Sequence, residues 1–193
     1  MLKGERVILR AMRPEDLERF AEFRNDVELN LLGGWLAEPV PFARIEADYR
    51  AYLESRPEEL TWFGIETQGR FIGQCLLHHF DYTARSCELR ITIGDRDFVG
   101  RGYGRDAVRL LVKYAFRLRN IQRVWLTTNG SNERAIKAFQ AAGFEVEGRL
   151  RRHVWLDGRY DDLVHMGILR EDAQPEPAGA DDKEEPPNAE DGA

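Results

Sequence analysis

Apolar positions recur along the chain with two different periods, and together they predict alternating strands and helices. Val7-Ile8-Leu9 is a short apolar run that leads, through Pro14-Glu15-Asp16, into an amphipathic stretch over residues 17–23. Proline suits the first turn of a helix and acids suit its positive end, so a strand feeding a helix is expected there. Residues 42–53 predict a second helix, while Gly33-Gly34 and Pro39 to Pro41 interrupt the pattern before it. Segment 24–59 is therefore the expected place for substrate-shaping loops. Residues 60–66 and 71–80 are β-rich runs around the turn Thr67-Gln68-Gly69-Arg70 and predict a hairpin. Residues 87–93 alternate, with Leu89, Ile91 and Ile93 on one side and Glu88, Arg90 and Thr92 on the other. The three runs together predict an antiparallel meander.

The clearest helix spans residues 102–120, with Val108, Leu111, Val112, Ala115 and Phe116 on one stripe. Residues 124–128 read as a strand. Ser131 or Asn132 then caps a helix that runs to Ala142 and stops at Gly143. Residues 150–156 and 160–169 flank Asp157-Gly158, a strong tight-turn signal. Seven strands and four helices make a mixed α/β domain.

Charge changes the picture at one end. The 193 residues carry a formal net charge of −6, but residues 171–193 hold nine acids and one base. That tail is −8, which leaves residues 1–170 at +2. Rich in proline and without aromatic or β-branched residues, it is expected to be disordered beside a single domain over 1–170. A near-neutral body gives no electrostatic case for nucleic acid. The apolar runs are a few residues long, which predicts no membrane span, and the charged start Met1-Leu2-Lys3-Gly4-Glu5-Arg6 predicts no export signal. Two cysteines, Cys75 and Cys87, make no disulfide scaffold and fit a cytoplasmic protein. Four scattered histidines show no ligand spacing, so no metal is expected.

The chemistry begins at Val99-Gly100-Arg101-Gly102-Tyr103-Gly104-Arg105-Asp106, between a β-run and the best helix. Glycines permit backbone conformations closed to other residues, and the first amides of a helix have no partner within it. An oxyanion such as a phosphate is the natural guest, with Arg101 and Arg105 available beside it. The spacing matches neither the dinucleotide fingerprint, whose third glycine would fall at Arg105, nor the P-loop, which needs Gly-Lys before Ser or Thr.

Residues 99–104 resemble the pyrophosphate loop of the GNAT (Gcn5-related) N-acetyltransferase superfamily. Asn132-Glu133-Arg134-Ala135-Ile136 and Ala142-Gly143-Phe144 are similar to its second cofactor segment. Gly4-Glu5-Arg6-Val7-Ile8-Leu9-Arg10 and Asp157-Gly158-Arg159-Tyr160 point to the branch of ribosomal-protein N-terminal and spermidine N-acetyltransferases. The resemblance implies a seven-stranded, mostly antiparallel sheet that binds acetyl-CoA where two parallel strands, 88–93 and 124–128, splay apart. It implies that Ile91, Thr92 and Ile93 bond the pantetheine arm. The amides of Val99, Gly100, Arg101, Gly102, Tyr103, Gly104 and Arg105 would take the pyrophosphate. Asn132 would contact the pantetheine or its thiol end, or simply cap its helix. A homodimer is implied by the resemblance alone.

The implied reaction is attack of an amine on a thioester, and an amine protonated at neutral pH needs a proton acceptor. Glu88 is the candidate, eleven residues before the first motif position, as in histone-acetyltransferase members of the family. His78 or His79 could serve instead, although strand alternation puts at most one of them in a cleft. Asp161 and Asp162 are further candidates. Phe139 stands where many relatives carry a tyrosine acid, and a phenyl ring cannot protonate a thiolate. Two functions follow: an N-acetyltransferase acting on a small amine, a polyamine or a protein N-terminus, and a catalytically silent acyl-CoA sensor of the same fold.

Overall fold

The computed structural model describes residues 1–33, 38–56 and 58–173. Among these, one sheet contains β1 (Leu2–Lys3), β2 (Ile8–Ala11), β3 (Thr61–Thr67), β4 (Arg70–Asp81), β5 (Ser86–Ile93), β6 (Arg123–Asn129), β7 (Glu145–Leu156) and β8 (Arg159–Leu169). Their order is β1-β2-β3-β4-β5-β6-β8-β7, and β5 with β6 is the parallel pair. The sequence predicts seven strands. The eighth is β1, two residues paired with Leu9 and Ile8, too short to show a period. The β3–β4 turn, with Gln68 at φ 51° and Gly69 at 75°, and the β7–β8 turn, with Asp157 at 47° and Gly158 at 77°, form where predicted.

The helices are α1 (Leu17–Asn25), α2 (Val27–Gly33), α3 (Phe42–Glu54), α4 (Tyr103–Leu118) and α5 (Glu133–Gln140). On one face of the sheet α4 buries Val108, Leu111 and Ala115 against Leu9, Ile65, Leu77, Leu89 and Val124. Leu17, Phe20 and Phe23 of α1 and Ile45 and Tyr49 of α3 pack with Trp62 and Phe71 in a second cluster. Helix α2 is the one the sequence missed, because glycine follows it closely. Its local signal is Asp26, whose Oδ1 accepts the Leu29 amide at 3.2 Å as an N-cap does.

One departure bears on the site. Strand β7 begins at Glu145 rather than 150, with register shifts at Val146/Gly148 and Leu150/Val154 that erase a period of two. Residues 171–173 follow β8 as a local turn, with the Asp172 and Ala173 amides donating to the Leu169 carbonyl. The rest of the expected tail, 174–193, lies outside the described residues. Among the described residues no helix is long and apolar enough to cross a membrane.

Candidate active site

Strands β5 and β6 pair through Ser86–Arg123, Cys87–Val124 and Glu88–Trp125, and after Glu88 they part. The fork opens into a cavity of about 490 Å³. Ile91, Thr92 and Ile93 of β5 form one wall, and Asn132, Ala135, Ala138 and Phe139 another. The loop Val99, Gly100, Arg101, Gly102 with Gly104 and Arg105 of α4 lines it as well. Gly100 and Gly102 hold φ 76° and 88°, a region that costs a residue with a Cβ about 1–2 kcal/mol. Neither glycine is required by crowding: a Cβ on Gly100 meets nothing within 4 Å, and one on Gly102 only the Arg6 side chain at 3.6 Å. The conformation itself is what selects glycine, and it leads straight into the free first-turn amides of α4.

Arg6, Arg101, Arg105, Arg134 and Lys137 line this cavity, and among the described residues no carboxylate does. Arg6 is placed from a distance. The Asp106 carboxylate accepts the amides of Arg6 at 2.7 Å, Val7 at 3.0 Å and Glu5 at 3.4 Å, tying the N-terminal segment to α4. The site is cationic, with free backbone donors, so it is fitted to an anion with an apolar extension.

Most of the predicted cofactor-contact set lines the cavity. Tyr103 instead packs edge-on against Phe98, with ring centroids 5.2 Å apart, and keeps only its amide in the first turn of α4. Asn132 Oδ1 accepts the Ala135 amide at 3.2 Å, so it caps α5, and it also faces the cavity. Asp161 and Asp162 lie outside the lining. Asp161 accepts the Ser131 amide at 3.0 Å and fixes the turn that carries Asn132; its contacts with Ser131 and the Asp162 amide outweigh burial and lower its pKa. Asp162 accepts the Arg152 amide at 2.9 Å. The sequence missed Arg6, Leu29, Val108, Lys137, Ala138 and Ala141 of the lining, whereas Arg134 and Ala135 belong to the segment that resembles the family's second cofactor segment. For α5 the signal was available, since Ala135, Ala138 and Phe139 follow Asn132 at helical spacing.

Glu88 is 3% exposed at the closed end of the fork and outside the cavity lining. Its Oε1 accepts Arg90 Nε at 3.0 Å, and its Oε2 lies 2.8 Å from His79 Nδ1 and 3.5 Å from His78 Nε2. Burial alone would push this carboxyl up. The contacts from His78, Arg90 and His79 prevail and bring it down to about 2. Strand alternation puts at most one histidine on this side, yet both meet Glu88. A register shift between His78 and Asp81 is responsible, with His79 at φ 49°. His78, His79 and Glu88 offer three ligand atoms within 4.8 Å of one another, but the Arg90 guanidinium on the same carboxylate opposes a cation.

Residues 6–145 match the family described as the acetyltransferase (GNAT) domain. The spermidine N(1)-acetyltransferase of Vibrio cholerae is 28% identical over 169 residues, covering 86% of this chain and 95% of that protein. The putative ribosomal N-acetyltransferase YdaF of Bacillus subtilis is 29% identical, covering 86% and 93%. The crystal structure of the V. cholerae spermidine N-acetyltransferase in complex with CoA and spermine superposes with a TM-score of 0.81 at 24% identity, covering 88% and 99%. The chain belongs to the GNAT acetyltransferase family. It is an N-acetyltransferase with the mixed, mostly antiparallel fold that the sequence predicts.

Proposed function

We propose that the forked cavity holds acetyl-CoA and that the protein moves its acetyl group to a primary amine of a polyamine. The observation that carries this reading is the cavity itself: open glycine-loop amides and, among the described residues, five cationic side chains and no lining carboxylate, at the point where β5 and β6 part. The amides of residues 100–105 and the side chains of Arg101 and Arg105 take the pyrophosphate. Ile91, Thr92 and Ile93 bond the pantetheine arm with their backbone, as one strand bonds another, and Asn132 steadies its far end. When bound, the cosubstrate supplies a thioester carbonyl open to an amine.

The chain's part is to aim that carbonyl and to stabilise charge on its oxygen, for which a β5 amide near Ile91 is the donor. Phe139 lines the cavity and offers no proton, so the thiolate leaves without an acid from this position. The polyamine acceptor rests on the spermidine acetyltransferases among the relatives. A protein N-terminus stands second, on the relative named as a ribosomal acetyltransferase.

The test is release of CoA from acetyl-CoA with spermidine, spermine, and a peptide bearing a free N-terminus. Turnover with a polyamine at least tenfold above the peptide is expected. Binding of acetyl-CoA without turnover on any of the three contradicts the reading.

A further inference from the structure

The closed end of the fork holds a group of side chains that CoA binding does not use. We infer that His79 is the residue that takes the proton from the incoming ammonium, and that Glu88 positions it. This rests on the acetyl-transfer reading above and gives Glu88 a different task from the one its sequence position suggests. A carboxylate brought down to about 2 and already engaged on both oxygens is a poor acceptor for an ammonium proton. The same carboxylate is a good anchor for an imidazole.

Geometry separates the two histidines. His79 meets Glu88 through Nδ1 at 2.8 Å while its side chain is 65% exposed, which leaves Nε2 on the side away from the carboxylate. His78 points its Nε2 inward, at 3.5 Å, with 15% exposure and no hydrogen bond. The carboxylate therefore fixes neutral His79 as the Nδ1–H tautomer with a lone pair on Nε2. Glu88 of β5 meets it directly, His78 of its own strand lies beside it with ring centroids 4.1 Å away, and Arg90 of β5 holds the other oxygen of the same carboxylate. A non-glycine residue at φ 49° in a bulged strand is a strained arrangement, kept where the surroundings demand it.

The position fits the reaction. Glu88 is the last residue of β5 paired to β6, so the cluster stands at the apex of the fork. A thioester entering from the α4 end is aimed toward that apex, and Ile91 lies three residues, or about 10 Å of strand, from Glu88. His79 Nε2 takes one proton from the ammonium, directly or through one water, and the freed lone pair attacks the thioester carbon. The carbon–sulfur bond breaks and CoA leaves as thiolate, while the second proton on the attacking nitrogen passes to that thiolate or to water and leaves the neutral amide. The imidazolium, paired with Glu88, returns the proton to solvent.

The experiment uses the full chain with acetyl-CoA and spermidine. His79→Ala is expected to lower kcat about 100-fold, leave KM for acetyl-CoA within about twofold, remove the acid limb of the kcat–pH profile and regain activity with added imidazole. A variant with wild-type kcat and an intact acid limb overturns the inference. In imidazole 1H–15N spectra, neutral His79 is expected as the Nδ1–H tautomer in the wild type, a bias lost in Glu88→Gln; the Nε2–H tautomer overturns the inference without any turnover. Activity lost to a chelator and restored by zinc would instead give these three side chains to a metal and overturn it. Failure of the wild type on spermidine strikes the acceptor reading alone, because the tautomer still decides the pair.

Discussion

The two ends of the fork between β5 and β6 are built from different materials. The open end is made of backbone: two left-handed glycines, the unpaired amides that follow them, and cations brought from the N-terminal segment, α4 and α5. The closed end is made of side chains: one buried carboxylate gathering two imidazoles and a guanidinium across a bulge. A backbone-built site tolerates exchange of most side chains and fails when a glycine is replaced. A side-chain cluster should behave the opposite way.

Breaking the closed end has the largest expected effect on stability. Glu88→Gln removes the shared partner of His79, His78 and Arg90 and should cost about 3 kcal/mol at neutral pH. The sign with pH follows from a lowered carboxyl. Its contribution is complete above the ordinary value of 4.5 and is lost as pH falls toward about 2. Denaturant midpoints of wild type and variant should therefore converge on acidification through that window; a constant gap would show that the ionised form is not what stabilises.

At the open end, Gly102→Val forces a β-branched residue to φ 88° at a cost of about 1–2 kcal/mol. Calorimetry should show acetyl-CoA affinity reduced at least tenfold, whereas wild-type affinity would remove the loop from the site. Asn132→Ala removes the cap of α5 and should lower stability by about 1 kcal/mol, seen as a lower melting temperature. The smallest effect belongs to the lining cations. Arg134→Ala or Lys137→Ala should weaken acetyl-CoA two- to threefold, about 0.5 kcal/mol for an exposed charge, and the deficit should vanish in high salt. A deficit insensitive to salt would indicate a lost packing contact.

The same contrast governs what could be read from the sequence. The open end was legible because glycine spacing, a helix start and an apolar stripe are local patterns, and the backbone they specify is the site. Asn132 was legible as a cap for the same reason. The closed end depends on register. Whether His78 and His79 share a side with Glu88 is decided by one shift in the β4–β5 ladder, and strand alternation predicts the opposite. Arg6 was hidden because its place is set by Asp106, 100 residues away, through main-chain amides. Helix α2 and the start of β7 were lost to nearby glycine and to register shifts.

The claim beneath all of this is that main-chain amides ahead of and within the first turn of α4 hold the pyrophosphate. Titrating the 15N-labelled protein with CoA and following backbone amide signals tests it directly. The largest shifts are predicted at residues 100–105, with residues 91–93 next. Shifts centred elsewhere, with residues 100–105 unmoved, would contradict it.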